Sequence, residues 1–242
     1  MFKIDITAPV DAFRAQISII ERDNIPFVTA YALTKTAQDI KAAEVDKMAN
    51  VFDRPTRFTL NALQVVPATK RDLRAAVIFK EGFGSIPAQR YLGPEVEGGG
   101  RVHKSHERAL IRAGVMRGGE YAVPSRFAPL DGNGNLKGSV ISRILAEVQA
   151  NPDPLSNSTR RTRTGRRKRG GGTYFALRRN GIAPGIYFRL GLRDLRPIIL
   201  FVRAPSYTKR LPFYEVATDV AAKRLPVHFA EGWSRFGQQR RR

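Results

Sequence analysis

The chain of 242 residues contains no cysteine and no long apolar run. The lack of cysteine excludes a disulfide framework, thiolate catalysis and cysteine-ligated zinc. No apolar run approaches the roughly 20 residues that a membrane-spanning helix needs, and Met1–Pro9 lacks the apolar core of a signal peptide. We therefore expect a protein without a membrane partner, made in a reducing cytoplasm and kept there or in a particle assembled there.

Acidic residues are scarce in the second part of the chain. Residues 1–100 carry 13 Lys and Arg and 12 Asp and Glu, whereas residues 101–242 carry 29 basic and 9 acidic side chains. The formal net charge is +21. Because such a one-sided excess repels itself in a compact fold, it predicts a partner of opposite charge, such as nucleic acid or an acidic protein surface.

Sequence signatures of catalysis, cofactors and metal ions are missing as well. The chain has no P-loop, no nucleophile elbow and no carboxylate pair that stands out for acid–base chemistry. His103 and His106 have a spacing that suits two metal ligands on a helix, but no third ligand is evident. Asp131 opens a DGNGN run that resembles a calcium loop, yet Leu136 stands where such a loop needs glycine, so we predict a turn. We expect no enzyme, no cofactor and no metal site.

The apolar pattern predicts an α+β fold. A strand is expected over residues 2–6, a helix from Asp11 to Glu21, and a long second helix from Pro26 to about Phe52. The apolar stripe of the long helix includes Leu33, Ala37, Ile40, Val45, Met48 and either Ala43 or Glu44. The expected architecture is a small antiparallel sheet packed on the long helix and a C-terminal helix, with extended Gly/Pro-rich arms and a basic loop.

Further elements follow from alternation and from turn residues. Strands are expected at 63–66 and 75–80, and a meander of three strands at 173–177, 185–190 and 197–202. Asn180-Gly181 marks a turn, with a connection longer than a two-residue hairpin. A closing helix is expected from Pro212 to about Phe236. Its core candidates are Val216, Val220, Ala221, Val227 and Phe229.

Composition predicts a division into three parts. Residues 1–81 and 173–242 are expected to form one core domain. Residues 82–138 contain many Gly and Pro residues and show little periodicity apart from a helical patch at about His106–Ala113, and a helix capped by Ser139 is expected to run to about Gln149. We expect residues 82–155 to form an arm or insertion that packs on a neighbouring subunit. Residues 156–172 are expected to form a basic, exposed loop.

This loop is the strongest candidate site in the sequence, as a contact for an anionic partner. Seven basic residues fall within ten positions: Arg160, Arg161, Arg163, Arg166, Arg167, Lys168 and Arg169. Arginine presents a planar fork that suits phosphate or carboxylate. DNA bound without sequence preference, an acidic neighbouring subunit and a solvated linker all remain open as interpretations.

Several stretches of the chain resemble a group of structural proteins from tailed phages. The long helix leads into the run FDRPTRFTLNAL from Phe52 to Leu63, and YLGPEVEGGGR follows from Tyr91 to Arg101. RLPF at 210–213 then precedes the closing helix. The order of these stretches is similar to that in the minor tail protein Z and tail-completion group, in a longer form with an insertion at residues 82–138.

The resemblance implies a structural virion protein without catalysis, assembled in the host cytoplasm. It implies a minor tail or neck subunit at the head–tail junction of a bacteriophage, with copies of itself in a ring around the DNA channel. The expected partners are portal, tail-tube or neck proteins, with non-specific DNA contact as a further option. The alternative is a non-specific nucleic-acid-binding protein of ribosomal or packaging type, in which the arginine-rich loop is the main binding surface.

Overall fold

The computed structural model describes residues 3–7, 19–81, 87–159, 162, 164–165, 171–191 and 194–237. The chain forms two compact units. The first unit comprises Met1–Gly98 and Thr208–Arg242, and the second unit comprises Gly99–Tyr207. At the boundary of the second unit, Gly99 and Tyr207 exchange two backbone hydrogen bonds of 3.0 and 2.8 Å. The beginning and the end of the second unit are therefore adjacent.

The first unit contains a three-stranded antiparallel sheet and two long helices. Its elements are β1 (Lys3–Thr7), α1 (Ile19–Val51), α2 (Arg57–Leu60), β2 (Leu63–Val66), β3 (Arg74–Phe79), α3 (Ala88–Glu97) and α6 (Phe213–Gly232). The strand order is β1-β3-β2. Helix α1 packs on β2, β3 and α6. This arrangement confirms the predicted α+β class and the small sheet on a long helix and a C-terminal helix.

Helix α1 has a fully buried stripe. Leu33, Ala37, Ile40 and Met48 are all inaccessible to solvent, as predicted. The predicted start of a separate helix at Pro26 is wrong, because α1 begins at Ile19 and contains Pro26. The buried residues Ile25 and Val28 flank this proline. Their packing offsets the backbone hydrogen bond that proline cannot donate. The predicted cap at Asp11 lies outside the described residues.

The buried face of α6 differs from the predicted one. Val220 and Ala221 pack against the core as expected, but Val227 and Phe229 are 42% and 38% exposed. The helical period continues through Pro226, so the face that begins at Phe213 reaches His228 instead. Residues on either side of His228 consequently lie on the outer surface.

The second unit is built around a four-stranded antiparallel sheet of order β4-β7-β6-β5. Its elements are α4 (Ser105–Arg112), β4 (Glu120–Pro124), α5 (Gly138–Glu147), β5 (Thr173–Arg179), β6 (Ile182–Arg189) and β7 (Leu195–Arg203). The last three strands confirm the predicted meander. The predicted long connection between β5 and β6 is wrong, because Arg179 pairs with Ile182 and only Asn180-Gly181 lies between them. Gly181 supplies the positive φ, +80°, that this turn needs.

The observed division of the chain differs from the predicted one at residues 82–155 and 173–207. Helix α3 places Leu92 and Val96 in the core of the first unit, whereas Leu110, Ala122 and Ile144 enter a separate core with the meander. The described part of the predicted arm therefore belongs to the two units themselves. Its elements are short and separated by glycine turns, such as the one at Gly114 with φ +70°. The helix predicted from Ser139 is confirmed as α5 and the helical patch near His106 as α4, whereas α3 and β4 are short and give no visible period in the sequence.

Candidate anion-binding segment

The seven basic residues predicted as a contact for an anionic partner, Arg160, Arg161, Arg163, Arg166, Arg167, Lys168 and Arg169, lie outside the described residues. We call residues 160–169 the basic segment. The chain on either side of it is described, up to Thr159 and again from Gly171. These flanks establish how the segment is attached to the second unit.

The N-terminal flank is attached to the end of α5. The Ser158 backbone N–H donates to the carbonyl of Ala146 at 2.9 Å. The Gln149 side-chain amide donates to the carbonyl of Ser158 at 2.8 Å. A short 3₁₀ turn, Pro154–Ser156, precedes this contact and is capped by the Asp153 carboxylate, which accepts from the Leu155 N–H at 3.1 Å. The chain is therefore anchored immediately before the basic segment.

The C-terminal flank is attached to the same helix through an ion pair between the buried Glu147 and the partly exposed Arg143. Arg143 donates to Glu147 at 2.9 Å and also to the carbonyl of Gly172. The Glu147 carboxylate, whose side chain is fully buried, accepts from the Tyr174 N–H at 2.5 Å. The Arg143 guanidinium also lies 4.9 Å from the ring centroid of Tyr174, a cation–π contact.

Gly172 lies directly against the end of the Phe188 side chain. A Cβ atom on Gly172 would lie 2.2 Å from Cζ of Phe188 on β6. No real Cβ contact is so short, so a larger residue would displace the ring or the backbone. The two ends of the basic segment are thus fixed on one helix and on the first residues of β5. Sequence reasoning missed this attachment, whose only sequence signal is the Arg143–Glu147 spacing of four.

The second unit holds most of the positive charge. It contains 21 Lys and Arg residues and 6 Asp and Glu residues, a net charge of +15 out of the total of +21. Four of its carboxylates form ion pairs with arginine: Glu107 with Arg101, Glu120 with Arg178, Glu147 with Arg143, and Asp194 with Arg196. The other two, Asp131 and Asp153, accept hydrogen bonds from nearby backbone N–H groups. The acidic residues of this unit are therefore engaged internally, and the unit keeps an excess of positive charge.

Glu107 is the most enclosed of these carboxylates. It is fully buried and accepts two bonds from Arg101, at 2.5 and 2.6 Å, and one each from the backbone N–H groups of Lys104 and Ala122. Burial alone would raise its pKa, but these hydrogen bonds outweigh burial and hold the pKa below its ordinary value. Glu107 therefore stays ionised at neutral pH and compensates the charge of Arg101.

His103 and His106, considered above as two metal ligands on one helix, do not both lie on a helix, because α4 begins at Ser105, after His103. The ring of His103 stacks on Tyr121 with centroids 4.4 Å apart, and its Nε2 lies 3.0 Å from the carbonyl oxygen of Glu120. Burial lowers the pKa of His106. Within the described part of the chain, no group of three or more His, Asp or Glu residues could hold a metal ion. The predicted turn at Asp131 is confirmed, because its Oδ1 accepts from the N–H groups of Asn133 and Asn135, both at 2.9 Å.

A buried carboxylate in the first unit was only partly anticipated. Glu44 occupies the apolar stripe of α1, is inaccessible to solvent, and finds no hydrogen-bond partner for either oxygen among the described residues. Burial and the nearby carboxylate of Glu215 raise its pKa to about 8. Glu44 is therefore mostly protonated at neutral pH, which removes the cost of a buried charge.

A second polar cluster of the first unit lies between α1 and α6. The Asp39 carboxylate is 2.6 Å from Nε of Arg224 and 2.8 Å from Nε2 of the buried His228. Burial raises the pKa of Asp39, but the hydrogen bonds from Arg224 and His228 outweigh burial and lower the pKa overall. This cluster joins the two long helices and accounts for the burial of His228.

Of the helices that the structure describes, none is both long and apolar enough to cross a lipid bilayer. Comparison of the chain with family models, with curated proteins and with solved structures found no match.

Proposed function

We propose that the protein is a structural subunit of a tailed-phage virion, a tail-completion, neck or minor tail protein at the head–tail junction. Copies of the chain form a ring around the DNA channel and contact portal, tail-tube or other neck proteins. In this proposal the second unit faces an anionic partner and the chain has no catalytic role. The protein is assembled in the host cytoplasm and remains in the virion.

The observation that carries the proposal is the unequal distribution of charge between the units. The second unit has a net charge of +15 and the first unit +6. All six acidic side chains of the second unit already accept bonds within it, as described above. A surface of this kind repels itself unless an external anion compensates it. DNA in a channel or an acidic neighbouring subunit supplies that compensation.

The attachment of the basic segment supports a role in assembly. Both of its flanks are tied to α5, at Ala146 and at the Arg143–Glu147 pair. A charged segment held at both ends loses less chain entropy when it contacts a partner than a free tail would lose. A fixed attachment point also suits a subunit that presents the same contact repeatedly around a ring.

The decisive experiment is to locate the protein in a particle. Antibodies against the purified protein should label the neck or upper tail of virions. Negative-stain images of the protein alone, or of the protein mixed with portal or tail-tube protein, should show rings. Absence from virions combined with failure to co-assemble would contradict the proposal.

The same charge distribution also favours a second function, non-specific binding of nucleic acid in a ribosomal or packaging role. A gel shift of duplex DNA titrated with salt separates the two. Binding that falls steeply with salt, without co-assembly with other virion proteins, would favour this second function. Co-assembly without DNA binding would favour the virion subunit with an acidic protein partner.

A further inference from the structure

Helix α6 carries apolar side chains on the side that faces away from the core. Its buried residues Phe213, Ala217 and His228 define the inner side. Residues spaced by three or four positions share a side of a helix. The opposite side, which we call the outer face of α6, consists of Glu215, Asp219, Ala222, Lys223, Pro226, Phe229, Ala230 and Trp233, the last of which directly follows the helix. Trp233 is half-buried and the others are exposed.

From Pro226 onward the outer face is entirely apolar. The rings of Phe229 and Trp233 are stacked, with centroids 6.4 Å apart and planes 9° from parallel. Pro226 and Ala230 adjoin them at helical spacing. A helix on the surface of a domain normally has polar and charged residues on the side away from the core. A continuous exposed apolar patch in that position is typical of a protein interaction surface.

The end of the helix that presents this patch is fixed on α1. A π-helical turn, Trp233–Gly237, follows α6. The ring of Phe236 packs edge-on against Phe27, with centroids 5.2 Å apart. The Asn24 side-chain amide donates to the carbonyl of Gly237 at 2.9 Å. The patch therefore lies on an element that is already ordered, which lowers the entropic cost of association.

Charge is distributed unequally along this helix and its last turn. Residues 213–222 contain two acidic and no basic side chains, whereas residues 223–237 contain three basic side chains and one acidic side chain. Two copies side by side in the same direction would bring like charges together. In opposite directions, the acidic part of each copy lies beside the basic part of the other. The outer face is therefore complementary to a second copy of itself in the antiparallel arrangement.

The contrast between the two parts persists when contacts within the unit are considered. Three of the six charges are engaged there, in the pairs Glu215–Lys209, Arg224–Asp39 and Glu231–His228. The other three, Asp219, Lys223 and Arg235, are exposed. The exposed acid lies in the first part of the helix and the two exposed cations lie in the second part.

We propose that two copies of the chain associate through the outer face of α6, antiparallel, about a two-fold axis beside Pro226. The occupant of the apolar patch is thus the same patch of a second copy. An isologous contact of this kind is closed, so by itself it gives dimers. The inference goes beyond the proposed function, whose ring contacts are heterologous and must use other surfaces.

The positions along α6 match this arrangement. Ala222 and Ala230 lie four residues on either side of Pro226, so each comes level with the other in the second copy. Asp219 and Trp233 lie seven residues on either side and also come level. The indole N–H of Trp233 is a donor and the carboxylate of Asp219 is an acceptor. The pair of helices therefore offers two such hydrogen bonds, one at each end of the contact.

Sedimentation velocity of the whole chain at increasing concentration tests the association, and we expect a dimer. Phe229→Ser should weaken the dimer by at least about tenfold, because each copy loses one of its two stacked rings. The matched control is Tyr214→Ser, at an aromatic residue of the same helix outside the outer face. Tyr214 is 40% exposed and Phe229 is 38% exposed. The control should leave the dissociation constant unchanged, and circular dichroism should show that both variants are folded.

Crosslinking tests the direction of the pairing, since the natural chain has no cysteine. Pro226→Cys places a thiol at the axis and should give covalent dimers with a short bifunctional maleimide. Ala222→Cys and Ala230→Cys should each give far fewer dimers alone, because equivalent thiols are then about 12 Å apart along the helices. An equimolar mixture of these two variants should form the crosslinked pair.

A chain that stays monomeric at every concentration overturns the pairing, as does an unchanged dissociation constant in folded Phe229→Ser. Crosslinking of Ala222→Cys with itself, in place of Ala230→Cys, overturns the antiparallel arrangement. If the chain is monomeric and Phe229→Ser is no longer found in virions, the patch binds another virion protein; the self-pairing is then overturned while the proposed function stands. The expected dimer and crosslinks in a chain that is absent from virions would support the pairing and contradict the proposed function.

Discussion

Glu147 on α5 accepts a hydrogen bond from the backbone N–H of Tyr174, the second residue of β5, at 2.5 Å. The same carboxylate holds Arg143, which donates to Gly172. These contacts join two parts of the chain that are separated in sequence by the basic segment. They connect the residues that follow the basic segment to the hydrophobic core of the second unit, in which Tyr174 and Ile144 are buried.

The first prediction concerns the close approach at Gly172. Gly172→Ala should lower the melting temperature, because the added Cβ would overlap the ring of Phe188. Overpacking of this kind costs about 1–3 kcal/mol. Thermal unfolding followed by circular dichroism measures the loss. The double variant Gly172→Ala/Phe188→Leu should recover part of this loss, because the smaller side chain makes room for the Cβ. If the double variant loses as much unfolding free energy as the two single variants lose together, the steric explanation is contradicted.

The second prediction concerns the buried carboxyl of Glu44. Its pKa is about 8 in the folded chain, against an ordinary value of 4.5. The folded state then binds one more proton than the unfolded state between these values. The free energy of unfolding should therefore fall as pH rises from about 4.5 to 8, by about 1.4 kcal/mol for each pH unit.

Glu44→Gln removes this titration. Melting temperatures of the natural chain and the variant, measured from pH 5 to pH 8, should diverge, and the variant should gain relative stability as pH rises. Asp46→Asn, at an exposed position on the same helix, is the control for the loss of one carboxylate from α1. Parallel profiles for the natural chain and Glu44→Gln would contradict the assignment.

The third prediction concerns the ion pair of Glu107 and Arg101. Glu107→Ala should destabilise the second unit by about 3–5 kcal/mol, because the cation of Arg101 would lose its partner in a site where its side chain is only 11% exposed. Glu120→Ala, which breaks the more exposed pair with Arg178, should cost at most about 1 kcal/mol. Urea unfolding measures the loss of unfolding free energy in each variant. Equal losses in the two variants would contradict the expectation that the more buried ion pair matters more.

The fourth prediction concerns the basic segment itself. Replacing Arg160, Arg163, Arg166 and Arg169 by Ser should leave the melting temperature equal or slightly higher, since like-charge repulsion falls. What should weaken is assembly or DNA retention. If the partner is DNA, each lost phosphate contact should reduce the slope of log affinity against log salt by about one.

An acidic protein partner would give a different result for the same four replacements. DNA binding would then be unchanged, and ring or particle assembly would weaken. Particles that stay fully infectious and retain their DNA would reduce the basic segment to a solvated linker.

The parts of the fold that sequence reasoning predicted are those with a strong period. The stripe of α1 at Leu33, Ile40 and Met48 is one example, and the alternation in β5 to β7 is another. The first strand of the predicted meander ends at Leu177, and two arginines follow it in the sequence. In the structure the strand continues to Arg179, with an irregularity in register between Leu177 and Arg179. Charged residues on a sheet edge obscure where a strand ends.

The attachment of the basic segment was less accessible to sequence reasoning. Arg143 and Glu147 have the spacing of an ordinary surface ion pair on a helix. Only the fold shows that Glu147 is buried and that its second oxygen meets the N–H of Tyr174. Long-range contacts of this kind leave no periodic signal in the sequence.

The paired backbone groups of Gly99 and Tyr207 give the second unit the character of an inserted module. When the second unit is folded, the chain leaves the first unit at Gly98 and returns at Thr208, next to the hydrogen-bonded residues Gly99 and Tyr207. The two chain ends that the second unit connects are therefore close together. When the second unit unfolds, this connection becomes a long loop, whose closure carries an entropic cost that grows slowly with length. Destabilising the second unit should therefore also lower the free energy of unfolding of the first unit, because the unfolded second unit becomes a long loop within it. Replacing residues 100–206 with a short linker should leave a first unit that folds alone.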